Sequence, residues 1–138
     1  MDNYELIEHT ADIGIRVKAD NLDDLFKNAA LAMFDIMAKR QTPTIAGQTQ
    51  IEIKQKADDL EELFVNWLNE LLCLSATKEL IFCAFQINKL DENTLKAIAI
   101  GSNIKNYRVN TEIKAATYHQ LKLKNDESGW QAEVIFDV

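Results

Sequence analysis

Apolar and polar residues alternate through Ile13-Gly14-Ile15-Arg16-Val17-Lys18, and then the period changes. Leu22, Leu25, Phe26, Ala29, Met33, Ile36 and Met37 return at helical spacing. The first pattern predicts a half-buried strand and the second an amphipathic helix. The same succession comes again. Ile51 and Ile53 open a second strand, and Leu60, Leu63, Phe64, Trp67, Leu68, Leu71 and Leu72 form a second, wider stripe. The segments from Ile13 to Asn28 and from Ile51 to Asn66 align at a constant offset of 38 residues. Two copies fall short of a solenoid, which needs at least three, and predict a duplicated strand–helix unit. Asn21 or Asp20 is placed to cap the first helix. Asp59 is placed to cap the second, with Glu62 at the capping-box position. Asp23, Asp24, Glu61 and Glu62 then lie in first turns, where the positive helix end favours them. That accounts for these acids without catalysis.

Beyond the second helix the period stays short. Phe82 to Asn88 and Leu95 to Ile100 flank the turn Asp91-Glu92-Asn93. Ile113 to Leu123 and Trp130 to Phe136 flank Asn125-Asp126-Glu127-Ser128-Gly129. Both read as hairpins, and Ser102 to Asn110 reads as a polar loop. The order β-α-β-α-β-β-β-β predicts a two-layer α+β domain over residues 1–138, with two helices packed on one face of a mostly antiparallel or mixed β-sheet.

Composition adds little to that picture and charge adds more. At 138 residues, 47% hydrophobic and 27% charged, the chain has the make-up of one soluble globular domain. It lacks a membrane-length apolar run or a signal-peptide start, so a cytoplasmic location is expected. The net charge is −7, and the first 70 residues carry 14 acids against 7 bases, while the remainder is balanced. Such a surface repels phosphate backbones, which argues against direct, tight nucleic-acid binding and suits a basic protein partner or a cation. Cys73 and Cys83 lie in apolar contexts without a Cys-x-x-Cys spacing, and are expected to be buried free thiols.

Candidate chemistry gathers at two strand ends. Asp12 precedes the first strand, and Asp137 and Val138 follow the last one. If those ends meet, Asp12, Asp137 and the α-carboxylate expected at Val138 converge, and three carboxylates in one place call for a hard divalent cation. By strand parity both aspartates fall on the more polar face. The alternative is plain: Asp12 a turn residue and Asp137 a solvated end. His9 and His119 are the only histidines, and either one, with Lys114, is a candidate supporting group, although a histidine isolated in sequence is more often structural. Phosphate-loop, dinucleotide and nucleophile-elbow motifs are absent, and no nucleophile stands beside a base.

Glu8-His9-Thr10-Ala11-Asp12-Ile13-Gly14-Ile15, Leu22-x-x-Leu25-Phe26-x-Asn28-Ala29-Ala30, Lys114-Ala115-Ala116-Thr117-Tyr118-His119 and Val134-Ile135-Phe136-Asp137-Val138 together resemble the archease family, over essentially the whole chain. The resemblance implies an accessory protein, not an enzyme. Its partner would be an RtcB-type RNA ligase, which uses GTP and a divalent metal to form a guanylylated histidine while joining tRNA halves and repaired RNA ends. The accessory protein would promote guanylylation and multiple turnover. The family's metal site, carried over, falls on Asp12, Asp137 and Val138, with calcium expected first and magnesium or manganese as alternatives. Family members often end in isoleucine, and Val138 departs by one methylene. The stretch from Ser102 to Asn110 matches nothing in the family pattern. Two other classes stay open: a metal-dependent phosphoester hydrolase using Asp12 and Asp137 with His9 or His119, and a chaperone-like interaction module without a metal.

Overall fold

The structure, a computed structural model, describes residues 4–8, 12–41 and 47–138. Both duplicated units form as their patterns predict. In the first, strand β2 (Ile13–Ala19) follows strand β1 (Tyr4–Glu8) and leads into helix α1 (Leu22–Met37). Asn21 caps α1 by accepting the Asp24 backbone N–H at 2.8 Å. A short strand β3 (Ala38–Arg40) follows directly. In the second unit, β4 (Thr49–Lys56) leads into α2 (Leu60–Lys78). Asp59 accepts from the Glu62 N–H at 2.8 Å, and the Glu62 carboxylate accepts from the Asp58 N–H at 3.2 Å. Each cap satisfies helix-end donors that would otherwise lack partners.

The later strands are β5 (Leu80–Leu90), β6 (Thr94–Asn103), β7 (Tyr107–Val109), β8 (Ala115–Asp126) and β9 (Gly129–Asp137). The expected α+β class is what forms, and among the described residues every strand pair is antiparallel. The strands divide among three sheets: β1-β2-β9-β8, β4-β6-β5 and the ribbon β3-β7. Helix α1 packs against β2 and β5, and α2 against β8 and β5, so each helix reaches both larger sheets. A single sheet was the simpler expectation. The division has a physical source, because β4 pairs with β6 and not with its duplicate β2, leaving each unit's strand in its own sheet.

The core lies where the two helical stripes meet. Phe26, Met33, Phe64, Trp67, Leu68 and Leu71 are fully buried. Phe26 and Phe64 occupy equivalent places in the two units and pack edge-to-face, with centroids 5.1 Å apart. The Trp67 indole N–H donates to the Phe26 carbonyl at 2.9 Å, which satisfies the one polar atom of a buried ring.

Two expectations are corrected and one strand is added. The stretch Ser102–Asn110 is not a loop: it contains the end of β6, a 3₁₀ turn (Ile104–Asn106) and β7, whose Tyr107 is buried. Its polar composition hid a ribbon that pairs only over three residues. The cysteines are exposed, not buried. Cys73 follows the buried Leu71 and Leu72, and a third consecutive position rotates out of the helical stripe. Cys83 sits where β5 bulges between Phe82 and Ala84, and the extra residue turns it outward. Strand β1 had no predicted counterpart. Its Leu6 is exposed despite sharing a face with Ile15, because β1 is the sheet's edge strand.

Candidate metal centre

The site is built from the four-stranded sheet. Strands β2 and β9 are central neighbours, paired from Ala19–Trp130 out to Ile13–Phe136. Asp12 precedes that last pair as a bend residue just outside β2, and Asp137 follows it as the last residue of β9. Strand β8 completes the row on the other side, where Ala115 pairs with Asp137 and the Lys114 N–H donates to the Asp137 carbonyl at 2.8 Å. Asp137 is therefore held in sheet hydrogen bonding on one side and presents its side chain at the sheet's end. Asp12 is half-buried, Asp137 and Lys114 are exposed, and Val138 is 38% exposed.

The nearest inward rows of this face show what surrounds the acids. Ile7, Gly14 and Ile135 form the next row. Ile135 is only 5% exposed, so this face is less polar near the tip than strand parity alone suggests. A side-chain carbon at Gly14 would come within 3.1 Å of Ile7 Cβ, so this row has little room for anything larger than glycine. The following row is Glu5–Arg16–Glu133. Arg16 donates to Glu5 at 2.9 Å and to Glu133 at 3.5 Å. The guanidinium's pKa is pushed further up, mainly by the Glu133 charge. Arg16 lies four residues along the strand from Asp12, roughly 13 Å at strand rise, and is occupied by its own carboxylates. It is not the tip's counter-ion.

The supporting candidates separate. His9 lies outside the described residues. Lys114 is placed beside Asp137 through its backbone. His119 is set inward, because the β8–β9 register runs through Thr117–Ile135 and resumes at Lys122–Glu133. His119 sits in the bulge between them, about 10 Å from Asp137 along the strand. The Thr-Tyr-His block thus marks a bulge, with Gln120 in the left-handed conformation at φ 53°. Tyr118, next to it, is exposed, and its hydroxyl pKa is raised by partial burial and by the Glu62 and Asp59 charges.

Sequence reasoning missed one residue that shapes this region. Asn69, on α2, donates to the Ala116 carbonyl at 3.1 Å and accepts from the Ala116 N–H at 2.7 Å. Its amide acts as a one-residue strand on the outer edge of β8, next to the Ala115–Asp137 pair. Only the fold brings residues 47 positions apart into that contact.

The donor set fits a hard divalent cation. Asp12 and Asp137 flank the end of the β2–β9 ladder, and oxygen donors without nitrogen or sulfur would suit calcium, magnesium or manganese over zinc. Among the described residues no group of three or more His, Cys, Asp or Glu side chains gathers. No described helix is long and apolar enough to cross a membrane.

Residues 4–138 match the Archease protein family (MTH1598/TM1083). The chain is 39% identical over 141 residues to a protein archease of Methanosarcina mazei, covering 98% of this chain and 95% of that one. It is 32% identical over 143 residues to a protein archease of Methanothermobacter thermautotrophicus, covering both completely. The solution structure of Methanobacterium thermoautotrophicum protein 1598 superposes with a TM-score of 0.76 at 29% identity, over 100% of both chains. The crystal structure of a Thermotoga maritima archease, described as a possible chaperone, gives 0.68 at 24% identity, over 96% of this chain and 94% of that one.

Proposed function

The chain belongs to the archease family, and from that premise we propose that it is an accessory protein of an RtcB-type RNA ligase, promoting the ligase's guanylylation and repeated turnover. It acts through an acidic tip formed by Asp12, Asp137 and the Val138 carboxylate. The observation that carries the reading is the β2–β9 register, which leads to Asp12 and Asp137 at adjacent strand ends. A divalent cation held there, calcium first and magnesium or manganese next, would supply positive charge where phosphate groups react. The chain's own part is placement. The end of the β2–β9 ladder brings the chain to both aspartates, and Lys114 and Ala115 hold the Asp137 backbone from the other side. Nucleotidyl transfer depends chiefly on positioning and charge neutralisation, so a helper without a nucleophile of its own is sufficient.

The test is single-turnover guanylylation of the ligase with and without this protein, in chelator and in added divalent cation. Faster guanylylation that requires the cation supports the reading. Residues appended after Val138 convert its carboxylate to an amide and should impair activation. Hydrolysis of phosphoesters by the purified protein alone would replace this reading with an enzymatic one.

A further inference from the structure

A cleft of about 610 Å³ opens between the second half of α2 and the segment from Val109 to Ala115. Resting on the ligase reading above, we propose that this cleft is where the partner grips the protein, through an amphipathic segment carrying lysine or arginine at its flanks. The walls are apolar: Leu72 and Ile113 are buried at its base, Ile104 is half-buried, and Val109 is 49% exposed. Exposed apolar side chains in a concave site mark an interaction surface. The rim is acidic. Glu79 and Glu112 are both exposed there, and Glu79 is the C-cap of α2, so the negative end of the helix dipole adds to their charge. An apolar occupant with cationic flanks satisfies both features, in the manner of a helix laid into a groove. The acidic rim disfavours a nucleic acid, and a second copy of a chain with net charge −7 is repelled by the same charge.

Continuity with the tip strengthens the assignment. Lys114 and Ala115 line the cleft, and these same residues hold Asp137 through the Lys114 N–H and the Ala115 pairing. A segment bound in the cleft therefore shares a wall with the acidic tip. Gripping there fixes how the tip is presented to the partner.

The two exposed cysteines provide the experiment. Cys73 lines this cleft and Cys83 lines a separate depression. The variants Cys83→Ser and Cys73→Ser each leave one thiol for a bulky maleimide, and each labelled protein is titrated into the purified ligase. Labelling at Cys73 should weaken binding by about tenfold or more, as blocking an anchor site does. Labelling at Cys83 should leave it unchanged. The calcium-dependent rise in melting temperature should be the same for both, since neither label touches the tip. The double variant Glu79→Lys, Glu112→Lys should also weaken binding, more at low salt than at high salt. If the Cys73 label lowers the melting temperature by itself, Val109→Arg on the exposed wall repeats the test. Equal binding by the two labelled proteins overturns the cleft and leaves the ligase reading standing. Failure of the unlabelled protein to bind the ligase overturns both. Self-association that the Cys73 label disperses would give the cleft to a second copy and overturn the proposal.

Discussion

The two strand–helix units share a sequence register and differ in what their strands meet. Asp12, just before β2, corresponds at the offset of 38 to Gln50 in β4. Asp12 lies one step before the Ile13–Phe136 pair, at the end of the ladder that β9 completes with Asp137, whereas Gln50 pairs with Ile100 of β6. Their helices differ in a matching way. Ala29 of α1 corresponds to Trp67 of α2, and the small residue and the large one let the helices approach while Trp67 reaches the Phe26 carbonyl. The first unit thus carries an acid of the proposed site and the second supplies much of the core's bulk. One local pattern serves two purposes, and the partner strand decides which.

The sharpest way to break this contrast is to remove the acids. The variants Asp12→Ala and Asp137→Ala should each abolish ligase activation while the thermal melt holds or rises, because clustered carboxylates repel one another in the metal-free protein. Full activation by a folded double variant would leave the metal tip without support. Trp67→Ala should do the opposite: a loss of about 3–5 kcal/mol by denaturant titration, for a buried aromatic with an indole hydrogen bond. A loss within about 0.5 kcal/mol would mean that the ring is not part of the core.

Asn69→Ala tests the link between the two regions. It strips both bonds from Ala116 and should cost about 1–3 kcal/mol. It should also lower activation, because the strand that braces Asp137 loses its outer clamp. Unchanged activation and an unchanged melt would confine Asn69 to the surface.

Asp35 gives a smaller, pH-dependent signal. Burial raises its pKa, but hydrogen bonds from Lys39 and Tyr4, with the Lys39 charge, outweigh this and hold it below the usual carboxylate value. A depressed folded-state pKa contributes stability that is present above the unfolded value and is lost as pH falls through the folded one. Asp35→Asn should therefore flatten the acid side of a stability–pH curve and leave activation at neutral pH intact. An acid limb as steep as before would assign that loss to other carboxylates. The smallest effect is expected for Gln50→Asp, which copies the acid into the second unit. It should change stability within about 0.5 kcal/mol and create no new calcium response in the melt, because Ile100 stands where Asp137 would be needed.

The sequence by itself determined what depends on short range. Alternation made β2, helical spacing made the stripes of α1 and α2, and Asn21 and Asp59 capped the helices as their positions indicate. Periodicity and capping are set within a few residues, so they are legible without a fold. The candidate residues Asp12 and Asp137 could be proposed from two strand ends, but the β2–β9 pairing that leads to both could not, since register between strands more than a hundred residues apart is a tertiary choice. The same limit hid the β3–β7 ribbon, edge strand β1 and the Asn69 clamp. Each depends on which backbone edge remains to be satisfied once the core has formed, and an unpaired edge has no signature in its own few residues. The cysteines make the point from the other side. Their neighbours are apolar, yet a third consecutive helical position and a bulge in β5 carried both thiols to the surface, because exposure is decided by where a side chain points and not by the company it keeps in sequence.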